Sequence, residues 1–308
     1  MTVQVRWGIA GVGKAGRARA RAILDDERAA LVAGWRGTPS ELGVPSVDSF
    51  DALLGEDVDA VAICSPDVTH ARLVEAALRA RKHVVCEFPL AGDHQTAEHL
   101  YALAATQGRL LHVGHIELLS PAARWLRGRV VGRQVLGGSV RFRGGVRVGV
   151  TSVAHANIAR LHRLMDVVGE PTSLAVRWRD EESLQAVLRY SGNPERYDGM
   201  SEIQLEFVHG HGLVRRTELV LELSDGSVMM LGASVFDRGS PVALANRGGL
   251  FAQDHAAAMA AIVDDQAPYI DQARVLAGIR LAERLSGAPI TGGAPRRGLP
   301  MRELDGSR

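Results

Sequence analysis

Val3-Gln4-Val5-Arg6-Trp7-Gly8-Ile9-Ala10-Gly11-Val12-Gly13-Lys14-Ala15-Gly16 is the stretch on which the reading of this chain turns. Its first half, Val3 to Ala10, is short and apolar, and it breaks into three glycines ahead of an Ala/Arg-rich run ending near Asp25-Asp26. That is the pattern of strand, tight turn and helix. A second strand, Ala29 to Trp35, follows at the distance a βαβ unit requires, and Asp57 to Ile63, His83 to Cys86 and Arg109 to Val113 read as further buried strands. Helices fit between them at Phe50 to Leu54, Thr69 to Ala80 and Gln95 to Gln107, the last with Ala97, Leu100, Tyr101 and Ala104 on one face. This alternation predicts an α/β amino-terminal domain over residues 1–120, a doubly wound parallel sheet of the Rossmann type.

The glycines then acquire separate roles. Gly11 permits the tight turn, Gly13 lets backbone approach a pyrophosphate, and Gly16 allows helix to pack closely on strand. Val12, Lys14 and Ala15 complete a loop whose helix amino terminus offers N–H groups to an anion. The nucleotide is chosen at the end of the second strand, where a carboxylate would accept the ribose hydroxyls of NAD. Here the segment reads Trp35-Arg36-Gly37-Thr38-Pro39-Ser40, and no acid appears until Glu41. Arg36 can pair with a 2′-phosphate while Thr38 and Ser40 add hydroxyls, so the reading favours NADP(H) over NAD(H).

Composition sets the outer bounds. A chain of 308 residues fits two domains. With 46% hydrophobic and 23% charged residues it is globular, and a net charge of +1 gives no global attraction for nucleic acid or anionic lipid. Cys64 and Cys86 are too few for a disulfide framework or a thiolate metal site, so no metal is expected and a reducing compartment suits them. No signal peptide or membrane span is visible, and the expected location is cytoplasmic.

The second half reads as a different architecture, an α+β domain over residues 121–290. After a helix at Pro121 to Arg127 come strands at Gly137 to Phe142, Ser173 to Trp178, Leu184 to Tyr190, Ile203 to Phe207, Val214 to Leu223 and Val228 to Val235. Ser224-Asp225-Gly226 reads as a hairpin turn between the last two. Together they predict a large antiparallel sheet with one face free for a ligand or for a second copy of the chain. Helices at Asn157 to Val168, Gln253 to Asp265 and Gln272 to Leu285 complete the domain, and residues 291–308 read as a flexible tail. Arg141, Arg143, Arg147, Arg160, Arg163, Arg177, Arg179, Arg215 and Arg216 crowd this half. Period-two alternation puts Arg141 with Arg143, and Arg177 with Arg179, on shared faces, which points to an acidic small-molecule substrate if those faces meet it.

The segments Ile63-Cys64-Ser65, His70 and Lys82-His83-Val84-Val85-Cys86-Glu87-Phe88-Pro89 resemble the glucose–fructose oxidoreductase and inositol dehydrogenase (Gfo/Idh/MocA) fold family. The resemblance implies that Cys64, Ser65, Pro66, His70, Glu87 and Phe88 border the cofactor. Sugar dehydrogenases of that family carry a lysine where this chain has Phe88, and an Asp-x-x-x-His whose positions fall here on His155 and Ala159. Both proton-handling groups are missing, which argues against oxidation of a hydroxyl. Within the family the chain further resembles the A-type biliverdin reductases, through Gly11 to Gly16, Ile63 to Ser65, Gly108 to Leu119, Val130-Val131-Gly132, Gly137-Gly138-Ser139, Ile158 to Leu161 and Gly212 to Arg216. It departs from the mammalian members at Phe88, where they have tyrosine, and at Gly114, where they have glutamate.

That resemblance implies hydride transfer from NADPH to the central methine carbon of a linear tetrapyrrole, biliverdin to bilirubin. Arg160 and His115 are then the catalytic candidates: Arg160 as hydrogen-bond donor or water-orienting group, His115 as the easier proton donor. Glu87 shapes the nicotinamide pocket, while Arg215 and Arg216, with Glu117 nearby, are the candidates for meeting the propionates. Two alternatives stay open: another oxidoreductase of this fold acting on an imine, a sugar or a conjugated acid, and a protein that binds NADPH or a bilin without turnover.

Overall fold

The computed structural model describes residues 4–146, 150–191, 201–245 and 248–292. The amino-terminal domain runs β1 (Val5–Val12), α1 (Lys14–Leu24), β2 (Ala29–Gly37), α2 (Phe50–Gly55), β3 (Ala60–Ile63), α3 (His70–Arg79), β4 (His83–Glu87), α4 (His94–Gln107) and β5 (Leu111–Gly114). Its strands pair in parallel in the order β2-β1-β3-β4-β5. The chain leaves β1 to one side for β2 and to the other for β3, so the switch point of the sheet lies at the carboxyl ends of β1 and β3. Capping residues fix the helix ends: Asp93 accepts from the Thr96 amide at 2.7 Å to start α4, and Gly108, at φ +61°, stops it.

The second domain contains α5 (Pro121–Val130), β6 (Val135–Gly144), α6 (Val153–Ala156), α7 (Ile158–Val168), β7 (Ser173–Arg179), β8 (Ser183–Tyr190), β9 (Ser201–His209), β10 (Arg216–Leu223), β11 (Gly226–Leu231), β12 (Ser234–Asp237), β13 (Ser240–Pro241), α8 (Leu250–Val263) and α9 (Gln272–Gly287). The sheet order is β13-β12-β11-β10-β6-β9-β8-β7. The α+β architecture matches the expectation, with two differences in detail. The β6–β9 pair is parallel, because the chain crosses over through α6, α7 and the β7–β8 hairpin before β9 returns beside β6. The stretch Val228 to Val235 is two strands rather than one, divided at Gly232, whose φ of +58° turns the chain back. The Ser224-Asp225 loop does join β10 to β11 as a hairpin, with Leu223 opposite Gly226.

One face of this sheet is apolar and covered. Ile203, Leu205 and Phe207 of β9, Leu219 and Leu221 of β10, and Val140 and Phe142 of β6 pack with α5, α7 and the second half of α9. The opposite face is polar, with Arg141 between Glu218 at 3.0 Å and Glu206 at 3.6 Å on the neighbouring strands. The closing helices bridge the two halves. Ala258 and Met259 of α8 enter the core around Trp7 and Ile9, while α9 gives Val275, Leu276 and Ile279 to the amino-terminal core and Leu281 and Leu285 to the sheet core. Most of the expected tail lies outside the described residues; its first residues run beside β7, with the Thr291 amide donating to the Val176 carbonyl at 2.8 Å. Among the described residues no helix is long and apolar enough to cross a membrane.

Candidate active site

The glycine loop has no room for a side chain at Gly11 or Gly16. A Cβ on Gly16 would sit 1.9 Å from the Gly11 carbonyl oxygen, and one on Gly11, whose φ is +96°, would meet the Cys64 and Ser65 backbone at 2.8 Å. Gly13 faces open space and caps α1 without a side-chain bond, and the first turn carries no acid. Exposed amides at a helix start, flanked by Lys14 and Ala15 and backed by Val12, are the cradle that a dinucleotide pyrophosphate requires, so the residues fit that group.

The turn after β3 is held on the other side of this loop. His70 is fully buried, with Nε2 2.8 Å from the Ser65 carbonyl oxygen and Nδ1 2.7 Å from that of Pro89, which follows Phe88 through a cis peptide. It thereby ties the β3 turn, with exposed Pro66, to the end of β4. Cys64 is partly buried at this junction, and burial pushes its thiol up, so it is an uncharged packing group. At the end of β2, Trp35 packs on Phe50, and Arg36 lies over the Trp35 ring with its Cζ 4.5 Å from the centroid. Thr38 Oγ1 accepts from Arg17 at 3.1 Å, and Ser40 is exposed in the following turn. Arg17 escaped the sequence reading, although its place directly after Gly16 puts it in the first turn of α1.

A second cluster of side chains lies at the carboxyl ends of β4 and β5. Phe88 and His115 stack there, with ring centroids 5.3 Å apart and planes 12° apart. The other side of His115 meets His162 of α7 at 4.0 Å. Burial is the first cause that holds His115 well below the ordinary histidine range, and His162 adds to it; burial takes His162 to about 3. An imidazole so held is neutral at physiological pH, which weighs against the proton-donor role expected of His115. His162 was also missed from the sequence. Its seat is made by Gly278 of α9, where a Cβ would fall 2.1 Å from His162 Nε2.

Glu87 is engaged by a buried charge network. Arg19 of α1 donates to its Oε1 from Nε at 2.9 Å and Nη2 at 2.7 Å, and from Nη1 to Asp254 Oδ2 of α8 at 2.6 Å. Asp254 Oδ1 also meets His112 Nε2 at 2.8 Å and accepts from the Tyr269 hydroxyl at 2.6 Å. Burial alone would raise the Asp254 carboxyl, but Arg19 and His112 hold it far below the usual range. Gly114 makes room for this arrangement, since a Cβ there would lie 2.6 Å from Arg19 Nη2.

From the second domain, α7 carries Arg160 at 5% exposure, its Cζ 3.6 Å from the centroid of the Phe142 ring. Phe142 also meets His209, whose Nε2 is 2.9 Å from Asn157 Nδ2. Glu117 lies between Arg163, at 3.6 Å, and Arg215, at 3.5 Å. Arg215 and Arg216 diverge: Arg216 stands opposite Arg143 in the β6–β10 ladder, while Arg215 reaches toward Glu117. Arg141 and Arg143 share a face as expected, whereas Arg177 and Arg179 do not. A bulge at Arg177 breaks the period of two, so Arg179 pairs with buried Leu184 and donates to the carbonyls of Leu285 and Ala288 at the end of α9. Arg147 lies outside the described residues. At the two positions that match the acid/base pair of the sugar enzymes, His155 bonds Ser152 Oγ at 2.8 Å and Ala159 is buried.

Residues 5–115 match the family described as "Oxidoreductase family, NAD-binding Rossmann fold". That match is to the dinucleotide-binding domain of the Gfo/Idh/MocA oxidoreductases, to which the amino-terminal third of the chain is similar. The chain is 29% identical over 232 residues to biliverdin reductase A of Mus musculus, covering 71% of this chain and 76% of that protein, and 29% identical to the human enzyme over 231 residues. UDP-N-acetylglucosamine 3-dehydrogenase of Acidithiobacillus ferrooxidans is 36% identical over 136 residues, 41% of each chain. In fold, a Synechocystis biliverdin reductase solved with biliverdin and NADP+ superposes with a TM-score of 0.78, at 24% identity, covering 92% of this chain and 98% of that one. The chain is thus an oxidoreductase that binds a nicotinamide dinucleotide.

Proposed function

We propose that this oxidoreductase reduces a linear tetrapyrrole of the biliverdin type at its central methine carbon, with NADPH as the preferred cofactor. The observation that carries this reading is the chemistry of the reacting end. Phe88 stands where a lysine would remove an alcohol proton, His155 and Ala159 replace the second acid/base pair, and burial disfavours the imidazolium of the two histidines at hand, which makes them weak proton acceptors. Such a site is poorly equipped to oxidise a hydroxyl, which must lose a proton as hydride departs. It suits a conjugated, planar acceptor that needs polarisation rather than a base. The biliverdin reductase relatives, which align over most of this chain, support the same substrate class.

When bound, NADPH supplies the hydride. The residues do the rest. Gly11, Gly13 and Gly16 with Lys14 would hold the pyrophosphate, and Arg36 with Thr38 and Ser40 would meet the 2′-phosphate. Phe88 and His115 form a flat stacked wall at the ends of β4 and β5 that would face the nicotinamide, and Glu87, fixed by Arg19, lies beside it in sequence. Arg160 remains cationic and donates hydrogen bonds that stabilise charge developing on the pyrrole nitrogens. Protonation of the nitrogen comes from water that Arg160 orients. The exposed Arg215 takes a propionate, and Glu117 keeps its guanidinium in reach. Mixing the purified protein with biliverdin and NADPH tests this: the long-wavelength bilin absorbance falls and a band at shorter wavelength grows. Binding of nucleotide with no change in any bilin spectrum overturns the reading in favour of a non-catalytic binder.

A further inference from the structure

The adenosine end of the nucleotide site holds a second guanidinium beside Arg36. Arg17 projects from the first turn of α1, directly after the glycine loop, and its Nη2 donates to Thr38 Oγ1 at 3.1 Å. Its Nη1 lies 3.1 Å from Glu41 Oε2, and both side chains of that pair are about half exposed, at 46% and 55%. Arg36 occupies the left-handed region at φ +62°, which is unusual for arginine, and Gly37 follows at φ +84°. A Cβ on Gly37 would meet the Val12 backbone at 2.9 Å, so the end of β2 is pressed against the glycine loop. A strained residue held beside a ligand cradle is where a functional constraint is expected.

We propose that Arg17 and Arg36 form a two-armed clamp for the 2′-phosphate of NADPH, and that Glu41 competes with the phosphate for Arg17. The proposal rests on the NADPH reading above. The chemistry is electrostatic. Arg36 is stacked on Trp35, which leaves the edge of its guanidinium for an incoming oxygen, while Arg17 approaches from α1 with Thr38 as a neutral partner between them. Glu41 is the first carboxylate after β2, near the ribose position where an acid would serve NADH, and in this chain Arg17 neutralises it. A dianionic phosphate displaces a single carboxylate from Arg17; a ribose hydroxyl does not. The Arg17–Glu41 pair therefore sets the ratio of NADPH to NADH affinity from both sides.

The test is nucleotide binding alone, read by reduced-nicotinamide fluorescence or calorimetry, with no organic substrate present. Arg17→Ala is expected to weaken NADPH about tenfold while NADH changes less than about twofold. Glu41→Gln should shift the ratio the other way, tightening NADPH about threefold, and Arg17→Lys should fall between Arg17→Ala and the wild type. Equal weakening of both nucleotides by Arg17→Ala, or no weakening of either, overturns the clamp. So does an unchanged ratio in Glu41→Gln, a measurement that holds even if Arg17→Ala does not fold. A wild-type protein that binds NADH as tightly as NADPH would instead refute the underlying cofactor preference, which separates the two failures.

Discussion

Replacing Asp254 by alanine should destabilise the protein more than any other single change at the site. Its carboxylate is fully buried and serves three donors, Arg19 at 2.6 Å, His112 at 2.8 Å and Tyr269 at 2.6 Å. Removing it leaves Arg19, at 1% exposure, with Glu87 as its remaining carboxylate in this network, and leaves a histidine and a phenol facing a cavity. Breaking a buried ion pair from one side costs ~3–5 kcal/mol. At ~2–4 °C per kcal/mol for domains of this size, the melting temperature falls by roughly 6–20 °C. Asp254→Asn keeps one acceptor and the side-chain volume, so it loses less, about 1–3 kcal/mol. Because Asp254 titrates far below its unfolded value, its contribution is present above about pH 4 and is lost as the pH falls further. Urea melts of wild type and Asp254→Ala at pH 7 and pH 3.5 measure both effects. A loss under about 1 kcal/mol at pH 7, or a gap that widens in acid, would refute the assignment of this network as a charged, load-sharing unit.

Other outcomes follow from the same contacts. Arg160→Met keeps contact with Phe142 but removes the charge, so kcat on a bilin should drop about 100-fold; an undiminished kcat removes Arg160 from the mechanism. Gly16→Ala forces a Cβ to within 1.9 Å of the Gly11 carbonyl, and nucleotide binding by fluorescence should be lost. The folded state refuses protons at His115 and His162 that the unfolded chain accepts near pH ~6.5. Stability therefore falls as the pH drops from about 6.5 toward 3, and His162→Gln should flatten that slope in denaturant melts.

The amino-terminal domain was legible because its signals are local. A glycine loop between an apolar run and a helix, followed by a second strand, fixes a βαβ unit within a short window, and β1, α1 and β2 form there. Strand direction in the second sheet was not legible, since an alternating pattern looks the same in parallel and antiparallel pairs, and β6–β9 is parallel. A bulge at Arg177 reversed the face assigned to Arg179 for the same reason: one extra residue defeats a period of two. Arg141 belongs to an ion-pair ladder between Glu206 and Glu218, partners that become neighbours only when three strands align. The deepest omissions are long-range. Arg19 and Asp254 are 235 positions apart, and His162 reaches His115 only because α7 docks on the end of β5. The ordinary histidine pKa misleads at His115 because burial, which the sequence does not display, removes its proton.

The most direct measurement uses NADPH carrying deuterium in place of the transferred hydrogen, reacted with biliverdin in a single turnover, with the pigment recovered for mass and NMR analysis. The account predicts one deuterium, located on the central bridging carbon, and one equivalent of NADPH consumed. Pigment recovered without the label while the nucleotide stays reduced and bound, or label found at any other carbon, would contradict it.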